Sequence, residues 1–351
     1  MISTTSTRNG FHQDLLPMAL TSPDPASSAL YNAMLAISAY HSRGSLAALP
    51  YKTKAVGYLS RAIVSSSTAS ETIMAASMML CVYSVFDEGE GNWHVHLDGA
   101  RKMLQSLCAR RKRSLDSEFT LTWFLYHEVL GCFTQPSRVN ENEADLLTLA
   151  QVSVQDQTLI TGSLGCSLET ISVIHGINKL RLINPTPSPL KTSPAAAKQR
   201  LALDTQLNSL VQTLPSLEAH EQNARILAIA ELYRLAAILY LQRVCPMPAD
   251  SDRRALCLKQ AFSILDSLEV ATSPWPVFVV ACESAPSDEH RGAMLAVMDR
   301  MDEVRGIGNL RVMRSLVEAF WKQYDLGGLG EGAWASWWDV SDGAVAEPWF
   351  I

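Results

Sequence analysis

Cysteine is sparse in this sequence, and no two cysteines lie close together. Seven cysteines occur in 351 residues, and the nearest two, Cys245 and Cys257, are 12 positions apart. This spacing excludes zinc knuckles of the CxxC type and argues against a disulfide framework. We therefore expect a reduced, intracellular protein whose thiols are buried.

Positive charge is also in short supply, and no segment is suited to entering a membrane. The 29 lysines and arginines are outnumbered by 35 aspartates and glutamates, so the formal net charge is −6. We expect no direct binding to nucleic acid, because affinity for phosphates comes from cations that displace counterions. The uncharged apolar run at 72–86 is too short to span a bilayer comfortably, and the N-terminus lacks a signal peptide's basic start and apolar core.

Hydrophobic residues, in contrast, are abundant and recur at helical spacing. They make up 48% of the chain, and the mean hydropathy is +0.06. Val56, Leu59 and Ile63 are predicted to share one buried helix face, and residues 72–86 are apolar all round, as in a central helix. No alternating strand pattern stands out. We predict an all-α fold of roughly ten or more helices, which could form two packed halves.

The predicted helices are separated by polar, proline-rich and glycine-rich segments. Four prolines within residues 184–194 exclude a helix there, since proline lacks an amide donor. An extended polar loop is expected at 135–163. The predicted helices cover residues 27–42, 51–64, 72–86, 117–133, 166–182, 197–213, 220–243, 251–268, 287–304 and 309–323. The predicted divisions are an N-terminal segment (1–24), a first helical half (25–183), a proline-rich loop (184–194), a second half (195–325) and a Gly/Trp-rich tail (326–351).

The stretch "WHVHLD" at 93–98 resembles a metal-binding HxHxD pattern. On an extended strand, His94, His96 and Asp98 would point to one side. The neighbouring apolar residues instead have helical spacing, and residues two apart on a helix point about 200° apart. We therefore interpret the stretch as a structural helix and expect no metal or other cofactor there.

A second candidate site is acidic. Asp299, Asp302 and Glu303 lie within one helical turn, as in sites where magnesium holds a diphosphate. The alternative is a solvated helix face, because Arg300 and Arg305 are interleaved. The His127-Glu128 pair lacks the second histidine of a zinc HExxH motif, so His127 is interpreted as buried in an apolar helix.

The only dense basic run is Arg110, Arg111, Lys112 and Arg113. It fits a nuclear import signal. It also fits a solvated helix end, where positive charge meets the helix dipole favourably. The residues alone leave both interpretations open.

The stretch "NWHVHLDGARKML" resembles a segment of the fungal-specific transcription factor domain, the helical regulatory region of zinc binuclear-cluster factors. The matching positions are Trp93, His96, Leu97, Gly99, Ala100 and Arg101. Another similar stretch precedes it at 15–41. Further ones follow in the family's order at 122–134, 162–180, 232–245, 274–284 and 300–321.

This resemblance implies a nuclear regulator of a specialised or secondary-metabolite pathway. It also implies that the tryptophan segment is a helix-packing signature. Such factors usually carry an N-terminal six-cysteine zinc cluster that binds DNA, and these residues contain none. A first exon could be missing, in which case zinc would be expected. Alternatively, the chain acts through a DNA-binding protein partner or by self-association, and a small apolar effector is a further expectation. A third possibility is recruitment as a cyclase or isomerase acting on an apolar or prenyl substrate, with Asp299, Asp302 and Glu303 as its candidate residues.

Overall fold

The computed structural model describes residues 9–65, 70–87, 92–110, 118–139, 154, 156–161, 164–185, 192–214, 220–306, 308–326 and 350. These residues form 13 α-helices and very little strand, which confirms the all-α prediction. No helix in these ranges has both the length and the hydropathy needed to cross a bilayer.

A π-helical turn at Phe11–Leu15 precedes the first six helices. These are Leu16–Leu20 (α1), Pro25–Arg43 (α2), Ser45–Ser65 (α3), Glu71–Phe86 (α4), Trp93–Arg110 (α5) and Glu118–Thr134 (α6). A 3-10 turn at Pro136–Arg138 is followed by strands β1 (Ile160–Thr161) and β2 (Cys166–Ser167). The later helices are Leu168–Ile183 (α7), Pro194–Ser209 (α8), His220–Val244 (α9), Asp250–Ser267 (α10), Pro274–Glu283 (α11), Asp288–Arg305 (α12) and Gly308–Asp325 (α13).

The two strands correct the expectation that the chain contains none. Strand β1 pairs antiparallel with β2, with Ile160 opposite Ser167. Strands of two residues are too short to show a period-two pattern in the sequence. Gly165 makes the turn at a φ of +77°, and a Cβ there would come within 3.1 Å of Ile229 Cγ2. Only glycine suits both conditions.

The chain divides into two compact units. One unit, here called the N-terminal unit, contains Arg8–Glu128 and Glu143–Gln155. The other, the C-terminal unit, contains Met1–Thr7, Val129–Asn142 and Asp156–Ile351. The division passes through α6, and the domain bounds drawn from the sequence stay a prediction.

Helix α4 is the centre of the N-terminal unit. Every residue from Ile73 to Phe86 is buried, and the helix packs against α2, α3 and α5. Ser70 begins it, because its Oγ accepts a hydrogen bond from the Ile73 amide at 3.2 Å. The uniformly apolar sequence therefore encodes a helix surrounded by protein on all sides.

Helix α3 differs from its prediction in both its start and its buried face. It begins six residues early, at Ser45 rather than 51, with Pro50 inside its second turn. Leu59 is buried as predicted, whereas Val56 and Ile63 are exposed. The buried face of α3 is made mostly of alanines, because small side chains let helices approach closely. The apolar periodicity of the sequence does not show which side of the helix faces inward. The buried residues of α3 are Ala48, Ala55, Leu59 and Ala62.

Helix α9 occupies the centre of the C-terminal unit and packs against α7, α8, α10 and α11. All ten residues of α11 are buried. Trp275 on α11 stacks on Tyr233 of α9, with ring centroids 5.8 Å apart. Asn178 of α7 accepts a hydrogen bond from the Tyr240 hydroxyl at 3.0 Å, so the apolar core contains a satisfied polar contact.

Candidate functional site

Helix α5 carries the sequence signature and packs closely on α4. Trp93, Leu97 and Ala100 are buried. The Ser77 hydroxyl on α4 donates to the His96 carbonyl at 2.7 Å. A Cβ on Gly99 would lie 3.2 Å from the same Ser77 Oγ, which is tighter than ordinary contact. The glycine of the signature therefore permits the close approach that this hydrogen bond needs.

The basic residue of the signature forms a largely buried ion pair. Arg101 Nη2 contacts Glu128 Oε1 on α6, and the two side chains are only 14% and 10% exposed. Hydrogen bonds between charged groups with little access to water are stronger than neutral ones. The pair thus links α5 to α6 within the N-terminal unit.

The histidines of the candidate metal motifs lie in helices, and burial keeps two of them neutral. Desolvation lowers the pKa of His96 to about 4, with a further contribution from the positive charge of Lys52. Desolvation likewise lowers the pKa of His127 to about 3. His127 Nδ1 lies 2.8 Å from the Trp123 carbonyl, which can only accept, so Nδ1 carries the hydrogen. Within the described ranges, no group of three or more His, Cys, Asp or Glu side chains is arranged to hold a metal ion.

The acidic candidates on α12 face cations of α13. Arg314 forms an ion pair with Asp299, and Arg311 Nε lies 3.7 Å from Asp302 Oδ2. Glu303 is exposed. Two of the three carboxylates therefore hold the two helices together through solvated ion pairs, the arrangement expected of an amphipathic helix face.

The basic run falls largely outside the described part of the chain. Arg110 is the last residue of α5, and its side chain is not described. Arg111, Lys112 and Arg113 lie outside the described residues. The import-signal interpretation stays a prediction.

The C-terminal unit contains a groove of about 710 Å³ between α10 and the start of α12. Phe262 and His290 stack across it with ring centroids 4.4 Å apart. Glu283, at its buried side, is held by Arg243 at 3.0 Å and Arg254 at 2.9 Å. The volume lies in the range of small-molecule sites. Sequence reasoning missed this groove, because its lining comes from separate helices and carries no motif.

None of these contacts assembles a reaction centre in the described residues, so the assignment rests on comparison with a known protein family. The family model described as "Fungal specific transcription factor domain" matches residues 1–347. The chain belongs to this family. The resemblance inferred from the sequence is thereby confirmed.

A relative supports the assignment of the fungal transcription factor domain. Transcription factor iacI of Pestalotiopsis fici is 26% identical over 338 residues, which cover 93% of this chain and 83% of the relative. No solved structure matches the chain. The family and this relative together identify a protein of transcriptional regulation.

The stretch at residues 93–101 of this fungal transcription factor domain contributes mainly to helix packing. In the structure, Trp93, Leu97 and Ala100 fill the α4–α5 contact, Gly99 permits it, and Arg101 reaches α6. These five positions thus have a packing explanation in this chain, and their role as a signature of the family stays a prediction.

Proposed function

We propose that this chain is a nuclear regulator of a specific set of fungal genes, acting through contacts with protein partners. The observation that carries the proposal is the family match over residues 1–347. A role in specialised or secondary metabolism is part of the proposal, since such gene sets are commonly placed under dedicated regulators.

The chemistry of the chain supports a partner for contact with DNA. The cysteines of these residues are never closer than 12 positions, whereas a zinc cluster needs ligands a few residues apart. The six described cysteines are buried, and burial raises the pKa of the Cys166 and Cys282 thiols well above the usual value. Zinc binds the thiolate, so these thiols are poor ligands. DNA affinity would then come from another protein or another segment.

A small-molecule effector is a further part of the proposed function. The groove beside Phe262 and His290 offers an aromatic wall, with Lys259 and Asp266 at its exposed rim. Its lining combines apolar side chains with polar ones such as Ser263 and Ser287, whereas the resemblance implied a small apolar effector. An effector with an aromatic or apolar body and a polar group would suit such a lining.

The test is the transcript profile of a strain lacking this gene, complemented with these 351 residues. Restoration of a coherent gene set supports the proposal. A Trp93→Ala allele, expected to unfold the N-terminal unit, serves as the control without function. If transcripts stay unchanged while a metabolite disappears, the regulatory proposal fails and an enzymatic role replaces it.

A further inference from the structure

The tripeptide Thr-Ser-Pro occurs three times in the chain, at 21–23, 192–194 and 272–274. A serine followed directly by proline is what proline-directed protein kinases require in a substrate. Proline also holds the residue before it in an extended conformation, the form in which kinases bind their substrates. Because the three copies share this local sequence, the fold decides which serine a kinase can reach.

The three serines differ in exposure. Ser273 is 6% exposed and comes directly before α11, whose residues are all buried. Ser22 is half-buried, and the carboxylate of Asp24, two residues later, caps α2. Ser193 and the following Pro194 are exposed. Of the three serines, Ser193 therefore offers its hydroxyl to an enzyme with the least obstruction.

The backbone at Ser193 already has the form that a kinase binds. Its φ of −66° and ψ of 151° are extended, although α8 begins at the next residue. Two hydrogen bonds hold Ser193 to α8: its carbonyl accepts from the Ala197 amide at 2.9 Å, and its Oγ accepts from the Ala196 amide at 3.2 Å. Hydrogen bonds at a helix end open more readily than those at its centre, so a kinase can free this serine without unfolding the unit.

The charges around Ser193 suit a phosphate. Residues 170–203 contain no aspartate or glutamate, whereas they contain five lysines and arginines. Two carboxylates that follow, Asp204 and Asp250, are paired with Arg200 at 3.2 Å and 3.0 Å. A phosphate on Ser193 would lie at the amino end of α8, where the helix dipole favours negative charge.

We propose that Ser193 is a phosphorylation site for a proline-directed protein kinase, and that the phosphate strengthens the start of α8. The Ser193 oxygen attacks the γ-phosphorus of ATP, the bond from that phosphorus to the β–γ bridging oxygen breaks, and the hydroxyl proton passes to the base of the kinase. The products are phosphoserine and ADP. The phosphate oxygens then accept hydrogen bonds from the Ala195 and Ala196 amides in place of the serine hydroxyl. This inference goes beyond the proposed function and does not depend on it.

The start of α8 also fixes the connection between α9 and α10. Arg200, whose side chain is 3% exposed, donates through Nε to the Cys245 carbonyl at 3.1 Å and through Nη2 to Asp250 at 3.0 Å. Asp250 in turn accepts from the Met247 amide at 2.8 Å. Since α8 carries Arg200, a phosphate that strengthens the first turn of α8 also stabilises this connection.

The kinase test uses the purified full chain, made in bacteria without phosphate, together with MgATP and a mitogen-activated protein kinase. Phosphopeptide mapping compares Ser193 with Ser273 in the same molecules. It also separates Ser193 from Thr186 and Ser188, two further residues before proline that lie outside the described residues. We expect phosphate on Ser193 and none on Ser273. Absence of phosphate from Ser193, or equal rates at Ser193 and Ser273, would overturn the proposal.

Two nine-residue peptides separate the effect of local sequence from that of the fold. They cover residues 189–197 and 269–277, each with Thr-Ser-Pro at its centre. Peptides of this length are unfolded in water, so both serines are accessible in them. The preference for Ser193 over Ser273 should be at least about tenfold greater in the protein than between the peptides. If the peptides show the whole preference, the fold does not select Ser193 and the proposal fails.

Calorimetry measures the effect of the phosphate on α8. Phosphorylation of Ser193 should raise the melting temperature by about 1–4 °C. The rise should shrink in about 0.5 M salt, because salt screens a charge at a helix end. A phosphorylated chain that melts no higher than the unmodified chain would overturn the proposal.

Ser193→Asn is the matched control variant. Asparagine caps a helix about as well as serine but cannot accept a phosphate. The variant should melt within about 1 °C of the unmodified wild type, and kinase treatment should leave its melting temperature unchanged. If kinase treatment raises the melting temperature of Ser193→Asn as much as that of the wild type, the stabilising phosphate is elsewhere and the assignment to Ser193 is wrong.

Discussion

The ion pair between Arg101 and Glu128 gives the sharpest prediction about the family signature. Replacing Arg101 by methionine keeps most of the aliphatic volume but removes the guanidinium from Glu128. Because the Glu128 side chain is only 10% exposed, water restores little of the lost solvation. The variant therefore leaves a largely buried carboxylate without the Arg101 guanidinium.

Breaking a buried ion pair on one side costs about 3–5 kcal/mol. Since both side chains keep slight exposure, we expect the lower end, about 3 kcal/mol. Arg314→Met is the matched control, because Arg314 and Asp299 form an ion pair in which the side chains are 37% and 54% exposed. That change should cost less than about 1 kcal/mol.

A double-mutant cycle in urea measures the coupling. Arg101→Met, Glu128→Gln and the double variant are unfolded in parallel, and the double variant should lose less than the sum of the singles by at least about 1 kcal/mol. The reasoning is refuted if Arg101→Met costs no more than Arg314→Met. Additive single effects would refute it as well.

Three further predictions concern the same unit and the basic run. Trp93→Ala should destabilise the protein by about 3–5 kcal/mol, since the side chain is 2% exposed, and unchanged calorimetric melting would contradict this placement. Because burial lowers the pKa values of His96 and His127 to about 4 and about 3 from 6.5, protons bind the unfolded chain preferentially below pH 6.5. The two histidines should therefore leave the stability to urea constant above pH 7. Between about pH 6.5 and pH 4, each of them should lower the free energy of unfolding by about 1.4 kcal/mol per pH unit. If the slope is the same in His127→Asn, His127 is not the buried neutral group described. Neutralising residues 110–113 should move a fluorescent fusion out of the nucleus, and unchanged nuclear fluorescence would remove the import assignment.

Local patterns in the sequence predicted most of the helices. They could not predict contacts between residues that are far apart in the sequence. The spacing of Trp93, Leu97 and Ala100 correctly placed 93–98 on a helix and excluded a strand-like HxHxD geometry. The partner of Arg101 lies 27 residues away on another helix, and no local period records such a contact. The groove at Phe262 and His290 could not be predicted for the same reason.

Helix α3 shows a different limit of sequence reasoning. Its hydrophobic residues were taken as one buried face, yet the structure buries alanines and leaves Val56 and Ile63 exposed. The sequence of α3 contains two rows of apolar residues at helical spacing, one of alanines and one of larger side chains, and the spacing does not show which row is buried. Which stripe faces inward depends on α2 and α4, so only tertiary structure decides it.

The burial of α4 on every side has a consequence for synthesis on the ribosome. The helix ends at Phe86, and its partner α5 is complete only at Arg110, 24 residues later. At about 5–20 residues per second, the nascent chain carries this apolar segment for roughly 1–5 s without one of its covering helices. A translational pause in that interval would prolong the exposure, and chaperones that hold extended hydrophobic segments would find a target in α4.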